Sequence, residues 1–430
     1  MQKIGISLSA PTSVELTLTK ACNHKCLHCY NPWREKVDCN TSGFSFEQLK
    51  IITEELKKND VWHVTLSGGE PLMRPDVLIS SSKLLNDAGI TFSMNTNLSL
   101  MTQELAEILK KDLNWSTLIL TSLPSVDPTL CDSITQVEGS YDNILRGINI
   151  CKNNGFKVGI NIVISQKNIL DLSNIKKFIR DNRIDYLCIS IVIPPSYDSE
   201  NPDYYLDNND ISNLANSLIE IKRKYGIDVD SITPLPICIL KDINKYMDII
   251  STTCSAGLTR CTIDTDGNIF ACSHEEIPYG NIFTDGLKDA WDKMTNWRCG
   301  EKLNSECREC KYLAICGGEC RMMKNQDNKY YHLDKNADVS YCPEETDTTI
   351  QPNTKFSTNL NIKIREESFG AAIRVNYSEY FITKELLELY DLLRNLGTFL
   401  VRDLLEYVDN YDDLVEILTY FQEISIIQKQ

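Results

Sequence analysis

The chain has 430 residues, 42% hydrophobic and 24% charged, with a formal net charge of −16. That length suits two or three domains with sizeable cores, and the acidic balance argues against a partner gripped through phosphates, which needs a basic face. Nothing approaches an apolar run long enough to span a bilayer. The start, Met1-Gln-Lys-Ile-Gly-Ile-Ser-Leu, lacks the apolar core of an export signal. A cytoplasmic chain with neither a membrane nor a nucleic-acid partner is therefore expected.

The chain holds 17 cysteines. Without export, clustered cysteines read as metal ligands rather than disulfides. The scattered ones, Cys39, Cys131, Cys151, Cys188, Cys238 and Cys299, read as small buried hydrophobes.

In chain order, strands are predicted at Val14–Leu18, His63–Ser67, Thr91–Thr96, Thr117–Ser122, Lys157–Val163 and Tyr186–Ile191. Amphipathic helices lie between them. Phe46–Lys58 keeps Leu49, Ile52 and Leu56 at helical spacing, with Ser45 as its opening cap and Asn59 at its end. Asn143–Asn154 runs into Gly155, a C-cap signal. Such alternation implies parallel strands joined by right-handed crossovers. Pro194-Pro195 closes this region. A polar loop, Ser196–Asn209, and a helix at Ile211–Tyr225 follow.

Directly after the first strand stands Cys22-Asn-His-Lys-Cys26-Leu-His-Cys29-Tyr30. Three thiolates can hold a four-iron cluster and leave one iron open for a chelating small molecule. A zinc knuckle would want a fourth protein ligand close by. Ser67-Gly68-Gly69-Glu70-Pro71 follows the second strand. The cysteine spacing, the Tyr after the last Cys and the Gly-Gly-Glu segment together resemble the radical S-adenosylmethionine (SAM) enzymes.

That resemblance implies a partial (β/α)6 barrel with its ligands at the C-terminal ends of the strands. It implies that Cys22, Cys26 and Cys29 are the catalytic cluster ligands, that the backbone of Ser67, Gly68, Gly69 and Glu70 meets the SAM amino group, and that Tyr30 lies near the adenine. Asn97 and Ser122, at the ends of the third and fourth strands, match polar SAM contacts. The family's frequent Ser-Leu-Asp-Gly is Ser122-Leu123-Pro124-Ser125 here, so only Ser122 carries over.

A second cysteine field runs from Cys254 through Cys261 and Cys272 to Cys307-x2-Cys310-x5-Cys316-x3-Cys320, and ends at Cys342. Between Cys261 and Cys272, Asp264-Thr265-Asp266-Gly267 separates two apolar pairs and reads as a β-hairpin. Two zinc sites of four thiolates each would fit these eight residues. The order, with Gly280-Asn281-Ile282, Leu287 and Trp291, also resembles the SPASM extension of radical SAM enzymes. This implies two auxiliary 4Fe–4S clusters, one on Cys254, Cys261, Cys272 and Cys320, the other on Cys307, Cys310, Cys316 and Cys342. Both would be fully ligated, and so suited to electron transfer.

The polar stretch Pro343–Ser357 is a boundary signal. Short strands are predicted at Asn361–Arg365, Ala371–Asn376 and Tyr380–Thr383, and helices at Lys384–Asn395, Leu400–Val408 and Leu414–Ile424. This pattern looks like the winged-helix peptide chaperone of pyrroloquinoline-quinone biosynthesis, the RiPP recognition element. There a leader peptide adds as a strand to the sheet edge. A stabilising cap or dimerisation module is the plainer reading. A DNA-reading winged helix is disfavoured by Asp412, Asp413 and Glu416, which repel phosphate.

The expected fold class is α/β: the barrel at 1–195, a connecting segment of helix and loop at 196–253, the cysteine-rich SPASM domain at 254–345, a linker at 346–357 and the winged-helix-like α+β domain at 358–430. The function implied is reductive cleavage of SAM to a 5′-deoxyadenosyl radical, which abstracts hydrogen from a ribosomally made precursor peptide. A thioether, C–C or C–O cross-link would follow. The implied cofactors are SAM and three 4Fe–4S clusters, and the implied partners a precursor peptide and a reductant such as flavodoxin or ferredoxin. An anaerobic sulfatase-maturing enzyme is an alternative, although Cys272 is followed by Ser273-His274 where those enzymes tend to carry Asp. His274 could serve as a base or be merely packed. A non-catalytic iron–sulfur scaffold or electron carrier is the alternative of another class.

Overall fold

The structure is a computed structural model that describes residues 6–31, 43–112, 118–195, 198–240, 242–250, 253–323, 350–375, 378–408 and 410–430. Cys39 and Cys342, and the predicted strand ends at Thr117 and Asn376, lie outside the described residues. Two compact units divide the chain, one within residues 2–341 and one within 342–430. No helix among the described residues is long and apolar enough to cross a membrane.

The larger unit is organised by one ten-stranded sheet. Strands β1 (Ser13–Thr17), β2 (His63–Ser67), β3 (Thr91–Thr96), β4 (Leu118–Ser122), β5 (Lys157–Ile164), β6 (Tyr186–Ile191) and β7 (Asp228–Ser231) follow one another in parallel. Helices α1 (Phe46–Lys58), α2 (Pro75–Asp87), α3 (Gln103–Asp112), α4 (Pro128–Thr135), α5 (Ser140–Asn153), α6 (Leu172–Asp181) and α7 (Asn208–Tyr225) make the crossovers. All six predicted strands are present. The seventh, β7, extends the expected six and is fixed by pairing with β6.

Two further strands tie the cysteine-rich region into the same sheet. β8 (Arg260–Ile263) pairs in parallel with β1, opposite the side taken by β2. β9 (Asn268–Phe270) and β10 (Gly280–Asn281) continue antiparallel. The predicted hairpin therefore forms, with Thr262 opposite Phe270 and Ile263 opposite Ile269. It is a continuation of the barrel sheet rather than a separate body. Glu15, buried in the middle of β1, is ion-paired to Arg260 of β8, which resolves an otherwise costly buried carboxylate.

Local signals explain the helices. Ser45 and Gln48 form a capping box on α1, which buries Leu49, Ile52 and Leu56 as predicted. Asp207 and Asp210 do the same for α7, whose last turn meets Gly226 at φ +64°. Short helices α8 (Ile237–Leu240) and α9 (Ile243–Ile250) follow β7. The cysteine-rich region adds α10 (Gly286–Asp292), α11 (Thr295–Arg298), α12 (Ser305–Arg308) and α13 (Leu313–Cys316).

The smaller unit holds β11 (Lys355–Thr358), β12 (Ile362–Glu367), β13 (Gly370–Val375), β14 (Ser378–Thr383), α14 (Lys384–Leu396), β15 (Thr398–Leu400), α15 (Tyr411–Glu423) and β16 (Ile427–Lys429). Two antiparallel three-stranded sheets, ordered β12-β13-β14 and β15-β11-β16, enclose a core that includes Phe356, Ile373, Tyr390, Leu393, Leu418 and Phe421. The helix predicted at Leu400–Val408 is instead the end of β15 and a 3-10 turn at Val401–Leu404. Phe399 pairs with Phe356, and the Asp403 carboxylate accepts the Leu400 N–H at 2.9 Å. Residues 355–357, read as linker, are the central strand of the second sheet.

Candidate active site

The cysteine loop leaves the C-terminal end of β1 and is held on both flanks by backbone. On one flank, Leu18 N–H donates to Ser67 O at 2.8 Å, Gly69 N–H to Thr19 O at 2.7 Å and Glu70 N–H to Ala21 O at 2.7 Å. A side chain at Gly69 would put its Cβ 2.1 Å from Ala21 O, and one at Gly68, where φ is +151°, 2.6 Å from Thr19 O. The two glycines therefore let the cysteine loop and the Ser67–Glu70 loop touch. Because the Gly69 and Glu70 amides serve this contact, a ligand ammonium, itself a donor, would have to meet carbonyls.

On the other flank, Lys25 N–H and Leu27 N–H donate to Thr135 O and Ile134 O, each at 2.9 Å, at the end of α4. Tyr204 Oη lies 2.9 Å from Leu27 O. Within the loop, Cys29 N–H donates to Cys26 O at 3.1 Å, and His24 N–H reaches Cys22 Sγ at 3.4 Å. The three thiols are half-buried. Burial lowers the His24 pKa to about 4 against the opposing pull of Asp132, so the imidazole is neutral beside the ligand set.

Glu70 is 1% exposed, and its carboxylate accepts from Leu72 N–H at 2.9 Å, Thr96 Oγ1 at 2.6 Å and Asn97 N–H at 2.7 Å. Burial pushes its pKa up to about 7, against the pull of these three bonds. It ties the end of β2 to the end of β3. Asn97 Nδ2 donates to Asn23 Oδ1 at 2.9 Å, and Asn23 Nδ2 donates to Ser99 Oγ at 2.8 Å. The loop between the first two cysteines is thus anchored to the third strand end. Asn23, Ser99 and Tyr204 escaped the sequence reading. Asn97-x-Ser99 after a strand, with an Asn between cysteines, is the faint signal they left. Ser122 is half-buried at the C-terminal end of β4.

Tyr30 links this loop to the second cysteine field. Its ring lies 4.2 Å from that of His274, centroid to centroid, and its hydroxyl bonds Ser273. His274 Nδ1 is 3.7 Å from Cys272 Sγ. Burial lowers the His274 pKa to about 4. Lys20 forms an ion pair with Asp266 across the same junction.

Within the second field the thiols fall into two groups. Burial pushes the Cys272 thiol up, with Cys254 and Cys320 adding to the rise, and pushes Cys320 up to about 12, with Cys254 adding to it. The Arg321 guanidinium stands beside Cys254 and Cys320, 5.1 Å over the Trp297 ring, and donates to Trp297 O at 2.9 Å. Cys261 sits fully buried in β8 opposite Val14, its thiol pushed up to about 12 by burial and eased by Arg260. In the other group, burial pushes Cys307 up to about 12, with Glu319 and then Cys316 adding to it, and pushes Cys316 up to about 11, with Cys310 a minor addition.

Thiols buried against one another resist ionising, and only a cationic centre reverses that tendency. All-sulfur donor sets of this kind suit iron–sulfur clusters. The residues present therefore fit such groups at the loop and at both parts of the second field.

Comparison with known proteins agrees. Residues 16–179 match the radical SAM superfamily, and residues 254–311 match the SPASM iron–sulfur cluster-binding domain. An AdoMet-dependent heme synthase of Methanosarcina barkeri is 22% identical over 73% of this chain and 92% of its own length. The mycofactocin maturase MftC of Mycobacterium tuberculosis is 26% identical over 74% of this chain and 80% of its own. The crystal structure of Streptococcus suis SuiB bound to its precursor peptide SuiA shares the fold, with a TM-score of 0.58 and 21% identity over 76% of each chain.

Proposed function

Because the chain is a radical SAM enzyme of the SPASM-bearing branch, we propose that it installs a thioether, C–C or C–O cross-link in a ribosomally made precursor peptide. Cys22, Cys26 and Cys29 would hold the SAM-binding cluster, with Tyr30, Ser67, Gly68, Gly69, Asn97 and Ser122 around the SAM. Bound there, a reduced 4Fe–4S cluster and SAM supply one-electron carbon–sulfur cleavage and hydrogen abstraction. The chain's residues orient and shield: Glu70, Asn97 and Asn23 keep the cysteine loop against two strand ends, and Tyr30 with His274 covers the side toward Cys272. A reductant of the flavodoxin or ferredoxin type would supply the electron that reduces the loop's cluster, and the second field would carry the surplus electron away.

The observation that carries the peptide reading is the edge of β14. It pairs with β13 on one side and has no strand on the other among the described residues. Tyr380 of β14 lies near Tyr420 of α15, so apolar surface flanks that edge. A strand edge beside a helix offers backbone bonds for affinity and pockets for specificity, the means by which a leader peptide adds to a winged-helix recognition element. Two relatives, a maturase and an enzyme bound to its precursor peptide, lean the same way. The heme synthase relative favours a tetrapyrrole as the second reading, which leaves the β14 edge without a use.

The test is fluorescence anisotropy of the full chain with labelled leader segments from small peptide genes beside its own. Binding at about micromolar Kd or tighter, weakened at least about tenfold by Tyr380→Ala, is expected. Indifference to every such peptide, with tight uptake of an iron porphyrin, would sink the reading.

A further inference from the structure

Cys254, Cys272 and Cys320 are far apart in the chain, so the fold must bring their segments together before they can share a cluster. Each stands at the head of a turn. Ser255, next to Cys254, accepts the Thr259 and Arg260 N–H groups at its carbonyl, each at 3.0 Å. Glu275 N–H donates to Cys272 O at 3.0 Å, and Met323 N–H donates to Cys320 O at 3.1 Å.

All three turns meet one residue, Trp297, which is fully buried. In the first turn Gly257, at φ +65°, lies so close that a Cβ there would stand 2.6 Å from Trp297 Cβ. In the second, Glu275 Oε1 accepts the Trp297 indole N–H at 3.1 Å, while Glu275 Oε2 accepts the Ala271 N–H, beside Cys272, at 3.2 Å. In the third, Arg321 donates to Trp297 O at 2.9 Å and lays its guanidinium 5.1 Å over the ring. Trp291 is buried as fully, but its indole N–H donates to Leu8 O at 2.9 Å, which none of the three turns contains.

We infer that Trp297 is the positioning residue of the site that Cys254, Cys272 and Cys320 share, fixing their three turns around one iron–sulfur cluster. This rests on reading those three residues as ligands of one cluster. Removing a group that orients ligands without touching the metal costs about 10–100-fold in metal affinity. Trp297 does this for three segments at once, through its indole N–H, its carbonyl and the close packing at Gly257.

The test is iron content, iron retention against a chelator and the EPR spectrum of the dithionite-reduced form, on the full chain carrying Cys272→Ala, Trp297→Phe or Trp291→Phe. Cys272→Ala should lose about four irons per chain and one EPR component. Trp297→Phe keeps a ring but loses the bond to Glu275. It should shift that same component and hold its iron about 10–100-fold less tightly. Trp291→Phe makes the same change away from the turns and should keep the wild-type spectrum and retention. A wild-type spectrum and retention in Trp297→Phe, or equal changes in both tryptophan variants, overturns the inference. Full iron in Cys272→Ala means instead that the ligands were misread, and the inference falls with them. If Trp297→Phe does not fold, Glu275→Ala decides, because it breaks the same bond from the other side. A shift of the same component supports the inference, and an unchanged spectrum overturns it.

Discussion

The two cysteine regions of the larger unit solve the same problem by opposite means. In the first, all three thiols lie within eight consecutive residues, Cys22 to Cys29, and the rest of the barrel supplies only the frame. Two glycines, one buried glutamate and the carbonyls at the end of α4 hold the loop by backbone. In the second, thiols come from around the hairpin, from α12 and α13 and from Cys320 beyond them. There, bulky side chains make the frame: Trp291 and Trp297 are fully buried, with Arg298 and Arg321 stacked over them at 4.7 and 5.1 Å. A local ligand set can leave one iron open, because its geometry depends on no distant partner. A dispersed set can enclose its cluster and lock elements together.

The largest effect should separate the regions by function. Cys22→Ala is expected to lower 5′-deoxyadenosine formation by about 10³-fold or more, since the three proposed ligands act as one unit. Cys272→Ala should leave SAM cleavage within about tenfold of wild type while modified peptide falls by about 100-fold, because in the proposed function the second field handles the electron after hydrogen abstraction. Chromatographic measurement of 5′-deoxyadenosine and peptide product in one reaction reads both. Equal losses of both products in Cys272→Ala would erase the division of labour.

Next comes the frame. Gly69→Ala places a Cβ 2.1 Å from Ala21 O, a backbone atom that cannot swing away. A stability loss of about 3 kcal/mol and about a 100-fold fall in SAM cleavage are expected, read by chemical unfolding and 5′-deoxyadenosine assay. In the second field, where side chains make the frame, a single backbone contact carries less. A Gly69→Ala chain with wild-type activity would mean that the loops part freely.

The same contrast explains what could be read from the sequence. Six strands were legible because parallel strands buried on both faces carry apolar runs, as Val158–Ile164 does. β7 was not, since Asp228-Val-Asp-Ser buries a single apolar side chain, Val229. The pairing of β8 with β1 joins residues far apart in the chain, which periodicity does not encode. The false helix at Leu400–Val408 had helical spacing, but strand pairing at Phe399 and the Asp403 cap overrode it. The first cysteine loop was legible because its three cysteines lie within eight residues.

The smallest effect tests whether the first region's frame titrates while the second's does not. The Glu70 carboxyl is raised from 4.5 to about 7 by burial. Between those values the folded chain keeps a proton that the unfolded chain has lost. Stability from this group is therefore complete below about pH 4.5, falls as pH rises to about 7 and is constant above. At about 1.4 kcal/mol per pKa unit the fall is about 3 kcal/mol. Glu70→Gln should flatten that slope. It should also cost about 1–3 kcal/mol at low pH, because one amide oxygen cannot accept both the Leu72 and Asn97 N–H groups. Anaerobic unfolding midpoints from pH 5 to 8 measure both. Parallel slopes in the two chains would mean that the carboxylate stays ionised on its three donors, and that the cysteine loop is clamped at every pH in the range.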